Sequence, residues 1–372
     1  MKNVIDYVAE ASDNFQDKEF NVVDSLILSQ LAYLKFDGLV PSMSDAAKPV
    51  SIEEIAYKQN LDKLFHGLIA SESYRRLFYT LADSPRFRNV KMNFYVDKID
   101  FKVEKQFSAI TYLLDDGTAY IAYRGTDSTF VGWKEDFNMA FISPIPSQEE
   151  GVEYLNAVAE LILCDLKIGG HSKGGNIAVY SSIKCHQFVQ NRITQVFSHD
   201  GPGFRDEIFL CHEYLSIKDR IYKTLPQSSV IGMLLQHQEN YSVVKSNRIW
   251  LMQHNPFTWM IADSDFYYVK TVKSSAIFMN ETINKWLSSL EDSKRQLFIE
   301  TLYQVIKATG ATTFYDLTSD WQKKATAVLV AIKGIDEETR NFVLKTIGSL
   351  FILTAKNLRD IHTVNARRQV ND

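Results

Sequence analysis

Lys167-Ile168-Gly169-Gly170-His171-Ser172-Lys173-Gly174-Gly175-Asn176-Ile177-Ala178-Val179-Tyr180 reads as a strand end, a glycine-rich turn and a helix start. Within it, Gly170-His171-Ser172-Lys173-Gly174 fits G-x-S-x-G, a pattern that sets a serine on a sharp strand-to-helix turn with its hydroxyl pointing out of the fold. Such a turn strains the serine backbone, and small residues at Gly170 and Gly174 leave room for a close strand–helix crossing. The helix N-terminus beneath supplies N–H groups and partial positive charge where an anion would develop. Glycine and serine are common, so the flanks matter. Leu161 to Ile168 ends in a short buried strand, and Ile177, Ala178, Val179 and Ile183 suit a packed helix. The competing reading is a glycine-rich turn that binds a phosphate or nothing.

The chain has 372 residues, enough for one large domain with an appended part or for two domains. Hydrophobic residues at 45% and charged residues at 23% describe an ordinary globular chain. The net charge of −4, without a basic block, implies no nucleic-acid partner. Cys164, Cys185 and Cys211 are far apart and fit neither a zinc site nor a disulfide framework, so the expected setting is reducing and cytoplasmic. The first residues carry acids and no apolar segment of the signal-peptide kind, and no run of 18 apolar residues suggests a membrane span. The 23 Phe and 18 Tyr suit a packed core first, and an apolar substrate pocket second.

Residues 1–20 are polar and read as a frayed start. Asn21 to Phe36 carries a helical stripe, capped by Asn21 or Asp24, and Ser51-Ile52-Glu53-Glu54 has capping-box spacing. Ser71 to Ala82 is a third helix, so residues 1–88 form a helical lead-in. Val90 to Val96 alternates as a strand does, and Asp100 to Gln106 is similar. Phe107–Leu114 and Ala119–Arg124 flank Asp115-Asp116-Gly117, a hairpin signal. Ser147-Gln148-Glu149-Glu150 opens a helix of about four turns. Further strands are expected at Ile193–Ser198, Ile221–Leu225, Tyr241–Lys245 and Ile249–Gln253. Alternating strands and helices over 89–274 indicate a mostly parallel sheet flanked by helices, and residues 275–372 read as a helical appendage at Ile277–Leu290, Ser293–Ala308, Leu317–Ile332 and Glu337–Ala355.

A serine hydroxyl at neutral pH needs a general base within hydrogen-bond reach, a carboxylate that orients the base, and two donors for the oxyanion. In the α/β-hydrolase fold the order along the chain is serine, acid, histidine, each at a strand end. His254, followed by Asn255-Pro256 after an apolar strand, is the candidate base among His186, His199, His212, His237 and His362. Asp200 closes the strand after the elbow helix and precedes Gly201-Pro202-Gly203, which makes it the candidate acid over Asp206, Glu207, Asp219 and Glu239. A cap of the following turn is its plainer reading. The Lys173 N–H and a donor from the Tyr123-Arg124-Gly125-Thr126 loop, Thr126 itself, are the expected oxyanion hole.

Arg124-Gly125-Thr126 followed by Trp133 and Asp136, ahead of Gly-His-Ser-x-Gly-Gly, resembles the signature of class 3 lipases. Asp200-Gly201-Pro202-Gly203-Phe204, the Ser228–Leu235 stretch and Gln253-His254 further resemble an uncharacterised bacterial family of lipase-like α/β-hydrolases. The lipase resemblance covers residues 107–260. It implies Ser172 as nucleophile, His254 as base, and Thr126 and Lys173 as oxyanion donors. The acid departs from it. Class 3 lipases carry an aspartate one strand later, where this chain reads Tyr222-Lys223-Thr224-Leu225-Pro226, and Asp200 resembles the pancreatic-type placement instead.

The expected architecture is an α/β-hydrolase domain over residues 1–274 and a helical subdomain over 275–372. The expected function is cleavage of carboxylic esters, lipid esters among them, through an acyl-enzyme on Ser172, Asp200 and His254, with no metal and no cofactor. A thioesterase or amidase would use the same parts. The readings from other classes are a non-catalytic binding protein of the same fold and a helical interaction protein acting through residues 275–372. The stretch Ser229–Leu235 is expected to line a pocket, form a lid or pack as core, and the C-terminal helices to cover the site or pair two copies.

Overall fold

Strand signals spread over two hundred residues come together in a single sheet. The computed structural model describes residues 2–289, apart from Ala46, Ile69, 101–104, 127–134, 136–137, 140–142 and 236–239, together with a few positions between 291 and 344. The strands are β1 (Val50–Ser51), β2 (Lys91–Asp100), β3 (Lys105–Leu113), β4 (Ala119–Tyr123), β5 (Leu166–His171), β6 (Ile193–His199), β7 (Ile221–Pro226), β8 (Tyr241–Val244), β9 (Ile261–Ala262), β10 (Asp265–Phe266) and β11 (Tyr268–Val269). Nine of them pair in the order β1-β2-β3-β4-β5-β6-β7-β8-β11, and β9 pairs with β10. The centre, β4 to β8, is parallel, and the strands on either side of it are antiparallel.

The helices are α1 (Val4–Glu10), α2 (Val22–Leu31), α3 (Ile52–Ala56), α4 (Ser71–Asp83), α5 (Pro146–Leu161), α6 (Lys173–Lys184), α7 (Gln187–Gln190), α8 (Asp206–Phe209), α9 (His212–Ile217) and α10 (Ser274–Ser289). Parallel neighbours joined in sequence by crossovers of one hand send every crossover helix to the same face. One core accordingly joins α5, α6, α8 and α9 to Ala119, Ile121 and Tyr123 of β4 and to Leu166 and Ile168 of β5. The alternate residues Tyr120 and Ala122, with Phe197 of β6, face a second core built from α1 to α4. The period of two along β4 thus separates two hydrophobic layers. The N-terminal helices are more than a lead-in to the sheet; they pack against its second face.

That role explains α2, which is buried all round: Asp24, Ser25, Ser29 and Gln30 are as buried as Leu26 and Ile27. Most of its polar groups are partnered, Gln30 Nε2 being the exception. Ser25 Oγ and Ser29 Oγ lie 2.8 and 2.7 Å from Tyr120 Oη, and Tyr74 donates to Gln30 at 2.9 Å. Asp24 receives Arg86 Nε at 3.0 Å, Arg86 Nη2 at 2.6 Å and Tyr7 Oη at 2.9 Å. Arg86 also donates to the carbonyls of Asp13, Asn14, Lys18 and Glu19, which stitches the connection between α1 and α2 in place.

Three local expectations change. The first twenty residues are not frayed: Asn3 caps α1, whose Val4, Ile5, Tyr7 and Val8 are buried. The helix read from Ser147 starts at Pro146, with Gln148 receiving the Ile145 N–H, because proline's fixed φ suits the first helical position. Residues 249–253 are not a strand; Trp250–His254 is a 3-10 turn. Ser51 forms the capping box its spacing suggests, and Asn21, one of the two candidate caps of α2, closes a capping box with Asp24. The chain divides into two compact units, Met1–Ala276 and Ile277–Asp372. The helices read beyond Ser289 fall outside the described residues but for scattered positions. No helix among the described residues is long and apolar enough to cross a membrane.

Asp24 and Arg86 are fully buried, so removing one charge strands the other. Asp24→Asn is expected to lower the unfolding free energy by about 3–5 kcal/mol, read from a urea denaturation midpoint.

Candidate active site

Parallel register brings the candidate residues to one end of the sheet. Gly170 of β5 lies opposite Tyr123 of β4 and Ser198 of β6, and His171 lies opposite His199. The next residues along, Arg124-Gly125-Thr126, Ser172 and Asp200, therefore leave the sheet side by side at its carboxyl edge, where open parallel sheets hold their ligands. The ladder continues one step past the strands, with Ser172 N–H donating to His199 O at 2.9 Å and Asp200 N–H to Thr224 O at 2.8 Å.

Ser172 has φ 59° and ψ −131°, a conformation disfavoured for a side-chain-bearing residue, and stands between β5 and α6. The close crossing allows it. A Cβ on Gly170 would meet the Gly174 backbone and lie 2.7 Å from Tyr123 O, and one on Gly174 would run into Tyr123 O. Lys173, the first residue of α6, has an N–H with no intrahelical acceptor. Its ammonium is fully buried against Glu135 Oε2 at 2.7 Å and Gln106 O at 3.0 Å. Glu135 is otherwise saturated by the Gln106 N–H and by the N–H and hydroxyl of Ser147.

Asp200, also at positive φ (50°), is wholly buried. Its Oδ1 receives Ser229 Oγ at 2.5 Å and Gly232 N–H at 3.2 Å, and its Oδ2 lies 2.6 Å from His254 Nδ1. With Nδ1–H donated to the carboxylate, Nε2 is the lone-pair nitrogen of the ring. His254 ends the 3-10 turn, and Gln253 anchors that turn. Gln253 Oε1 receives Ser228 N–H at 2.8 Å, Nε2 donates to Arg248 O at 2.6 Å, and its carbonyl takes Trp259 Nε1–H at 2.7 Å.

The loop after β4 passes over the serine. A Cβ on Gly125 would sit 2.6 Å from His171 O and 3.2 Å from Ser172 Cβ, so only glycine fits. Thr126 follows it, half-buried. Arg124 holds the loop from behind in a two-pronged pair with Asp97, at 3.0 and 2.7 Å. Burial opposes the charge on Asp97, but Arg124, and then Lys35, hold its pKa below the usual value. Trp133 and Asp136 lie outside the described residues.

Asp200 and His254 are thus bonded directly, with Ser172, Lys173 and Thr126 on the adjoining strand ends. Asp206, Glu207 and Asp219 are exposed, as are His186 and His212, while His237, Glu239 and His362 lie outside the described residues. His199 turns into the N-terminal helical layer, its Nε2 2.9 Å from Ser25 Oγ of α2. Sequence reasoning missed Ser229 and Gly232 as holders of Asp200, Gln253 as anchor, and Glu135 as the buried partner of Lys173. Within the apolar Ser229–Leu235 stretch, the members that reach the site are Ser229 and Gly232.

The fold defines a protein of mixed α/β class, with a central, largely parallel sheet flanked by helices. The chain belongs to the Mbeg1-like family, a lipase-like family whose model matches residues 81–304. No curated protein matches the chain. Among solved structures it is similar to M37 lipase, at 13% identity, over 56% of this chain and 68% of that one, with a TM-score of 0.32, a likeness too faint to rest anything on.

Burial pushes the His199 pKa down to about 3, and burial, followed by the rings of His254 and His199, holds His171 well below its ordinary value. Both are neutral when folded and take up protons at ordinary pH when unfolded, so the unfolded state binds more protons below pH ~6.5. Stability is therefore full above about pH 6.5 and falls with acid by about 1.4 kcal/mol per pH unit for each histidine. Urea midpoints between pH 7.5 and 5 measure this, and His199→Gln is expected to flatten the slope.

Proposed function

We propose that the chain is a serine hydrolase that cleaves carboxylic esters, lipid esters among them, through an acyl-enzyme. The observation that carries the reading is the 2.6 Å contact between His254 Nδ1 and buried Asp200, on the strand next to the strained Ser172 turn. A carboxylate held by two further donors keeps its orientation, and it both fixes the histidine tautomer and stabilises the imidazolium that forms. Ser172 Oγ attacks the ester carbonyl while His254 Nε2 takes its proton. The tetrahedral oxyanion accepts the N–H groups of Lys173 and Thr126. Collapse breaks the C–O bond, His254 returns the proton to the leaving alkoxide, and water repeats the sequence on the acyl-enzyme.

The domain reading belongs to the same proposal: residues 1–274 form the hydrolase domain and 275–372 a separate helical part, supported by the division of the chain after Ala276. A cytoplasmic setting is supported by three free cysteines. Thioesters and amides present the same carbonyl to the same groups, so the leaving group is left to experiment.

A fluorophosphonate probe is expected to label the folded wild type and not Ser172→Ala. On p-nitrophenyl esters of graded chain length, Asp200→Asn is expected to lower kcat on the order of 10⁴-fold, since the carboxamide favours the wrong tautomer of His254. Folded wild type that neither labels nor turns over any ester, with or without detergent, would return the chain to the binding-protein reading.

A further inference from the structure

A second buried imidazole, unused by the reaction above, lies against the candidate base. The rings of His171 and His254 have centroids 4.6 Å apart and planes 35° apart. His171 Nε2 is 2.9 Å from the backbone carbonyl oxygen of His254, and His171 Nδ1 is 3.3 Å from Tyr33 Oη. A carbonyl oxygen only accepts, so Nε2 carries the proton; Nδ1 then offers a lone pair, and the tyrosine hydroxyl donates to it. The chain of donors runs Tyr33 to His171 to His254, from the N-terminal layer, across the nucleophile's own strand, into the loop that bears the base. The hydroxyl also stands where a Gly125 Cβ would collide with it, and that same point is 3.2 Å from Ser172 Cβ, so the chain passes directly beside the nucleophile.

The tyrosine's donation requires His171 to be neutral. A protonated ring would lose the tyrosine's donation and would set a positive charge against the imidazole that must itself become cationic. Burial of His171 to 5% exposure keeps water from competing for either link. Gln253 pins the turn just before the base, and Asp200 pins the ring. The bond from His171 tethers the His254 backbone carbonyl, and without that tether the ring can rock about its Asp200 contact.

Resting on the serine-hydrolase reading, we propose that His171, oriented by Tyr33, is a positioning residue that sets the place of His254 relative to Ser172. His171 touches no substrate in this scheme.

The test compares His171→Phe, which keeps a flat ring and removes both hydrogen bonds, with His171→Gln, whose amide N–H reaches toward the His254 carbonyl, and with Tyr33→Phe. Two readouts are taken on the full chain: kcat and KM on a p-nitrophenyl ester, and the downfield proton resonance of His254 Nδ1–H in its bond to Asp200. His171→Phe is expected to lower kcat by about 10–100-fold with KM little changed, as a small misplacement of a catalytic group does. Its downfield resonance is expected to shift or broaden. His171→Gln is expected to restore much of both, and Tyr33→Phe to give a smaller loss of the same kind. Wild-type kcat and an unmoved resonance in His171→Phe would overturn the proposal; should that variant not fold, the same result in Tyr33→Phe would do so. If wild type turns over no ester, the hydrolase reading fails alone, because the resonance still reports whether His171 positions His254.

Discussion

The backbone of α6 passes so close to β4 and β5 that no side-chain atom fits between them, and the whole site depends on that approach. A carbon at position 174 would occupy the place of Tyr123 O, and one at 170 the place of the Gly174 backbone. The crossing forces Ser172 into positive φ, and Asp200 on the neighbouring strand is bent likewise. Each such residue costs about 1–3 kcal/mol. The cost is offset by the sheet, because both residues still donate their N–H into the ladder and neither can relax without breaking it. The strain is what turns two side chains out of a parallel sheet and into one space.

The buried ion pair of Lys173 and Glu135 extends the same logic beneath the turn. Two charges taken from water are a poor source of stability, but here every oxygen of Glu135 is met by a donor. The pair links the first residue of the elbow helix, the edge of β3 at Gln106 and the start of α5 at Ser147. Position, more than energy, is what such a pair supplies.

What the sequence made legible was local. The capping box at Ser51, the Asp-Asp-Gly hairpin and the glycine-flanked serine are patterns whose causes lie within a few residues, and each forms as read. The misreadings share a different origin. Residues 1–20 look polar because Asp13, Asn14, Lys18 and Glu19 are polar, yet their carbonyls are gathered by Arg86, some seventy residues on. Ile249–Gln253 looks like a strand by its apolar content, but Gln253 is fixed by Ser228, Arg248 and Trp259, which wind it into a turn. Asp200 stood out because it ends a strand; Ser229 and Gly232, which hold it, lie in a stretch whose pattern says nothing of a carboxylate. Pairings across the chain leave no period behind them, and the site is made largely of such pairings.

The strictly sequential strand order has a kinetic side. The crossover helices can pack as each parallel strand is laid down, but α2 is finished early and buried on every side. Its serine finds Tyr120 only 95 residues later and His199 174 residues later. At ribosomal rates that interval is roughly ten to thirty seconds, during which the sheet-facing side of α2 has nothing to pack against. Contacts of such separation are slow to form, and until they do the apolar surface they cover stays open to other chains. The first helices made are the last to be housed, and the nascent chain is most exposed to aggregation until β6 leaves the ribosome.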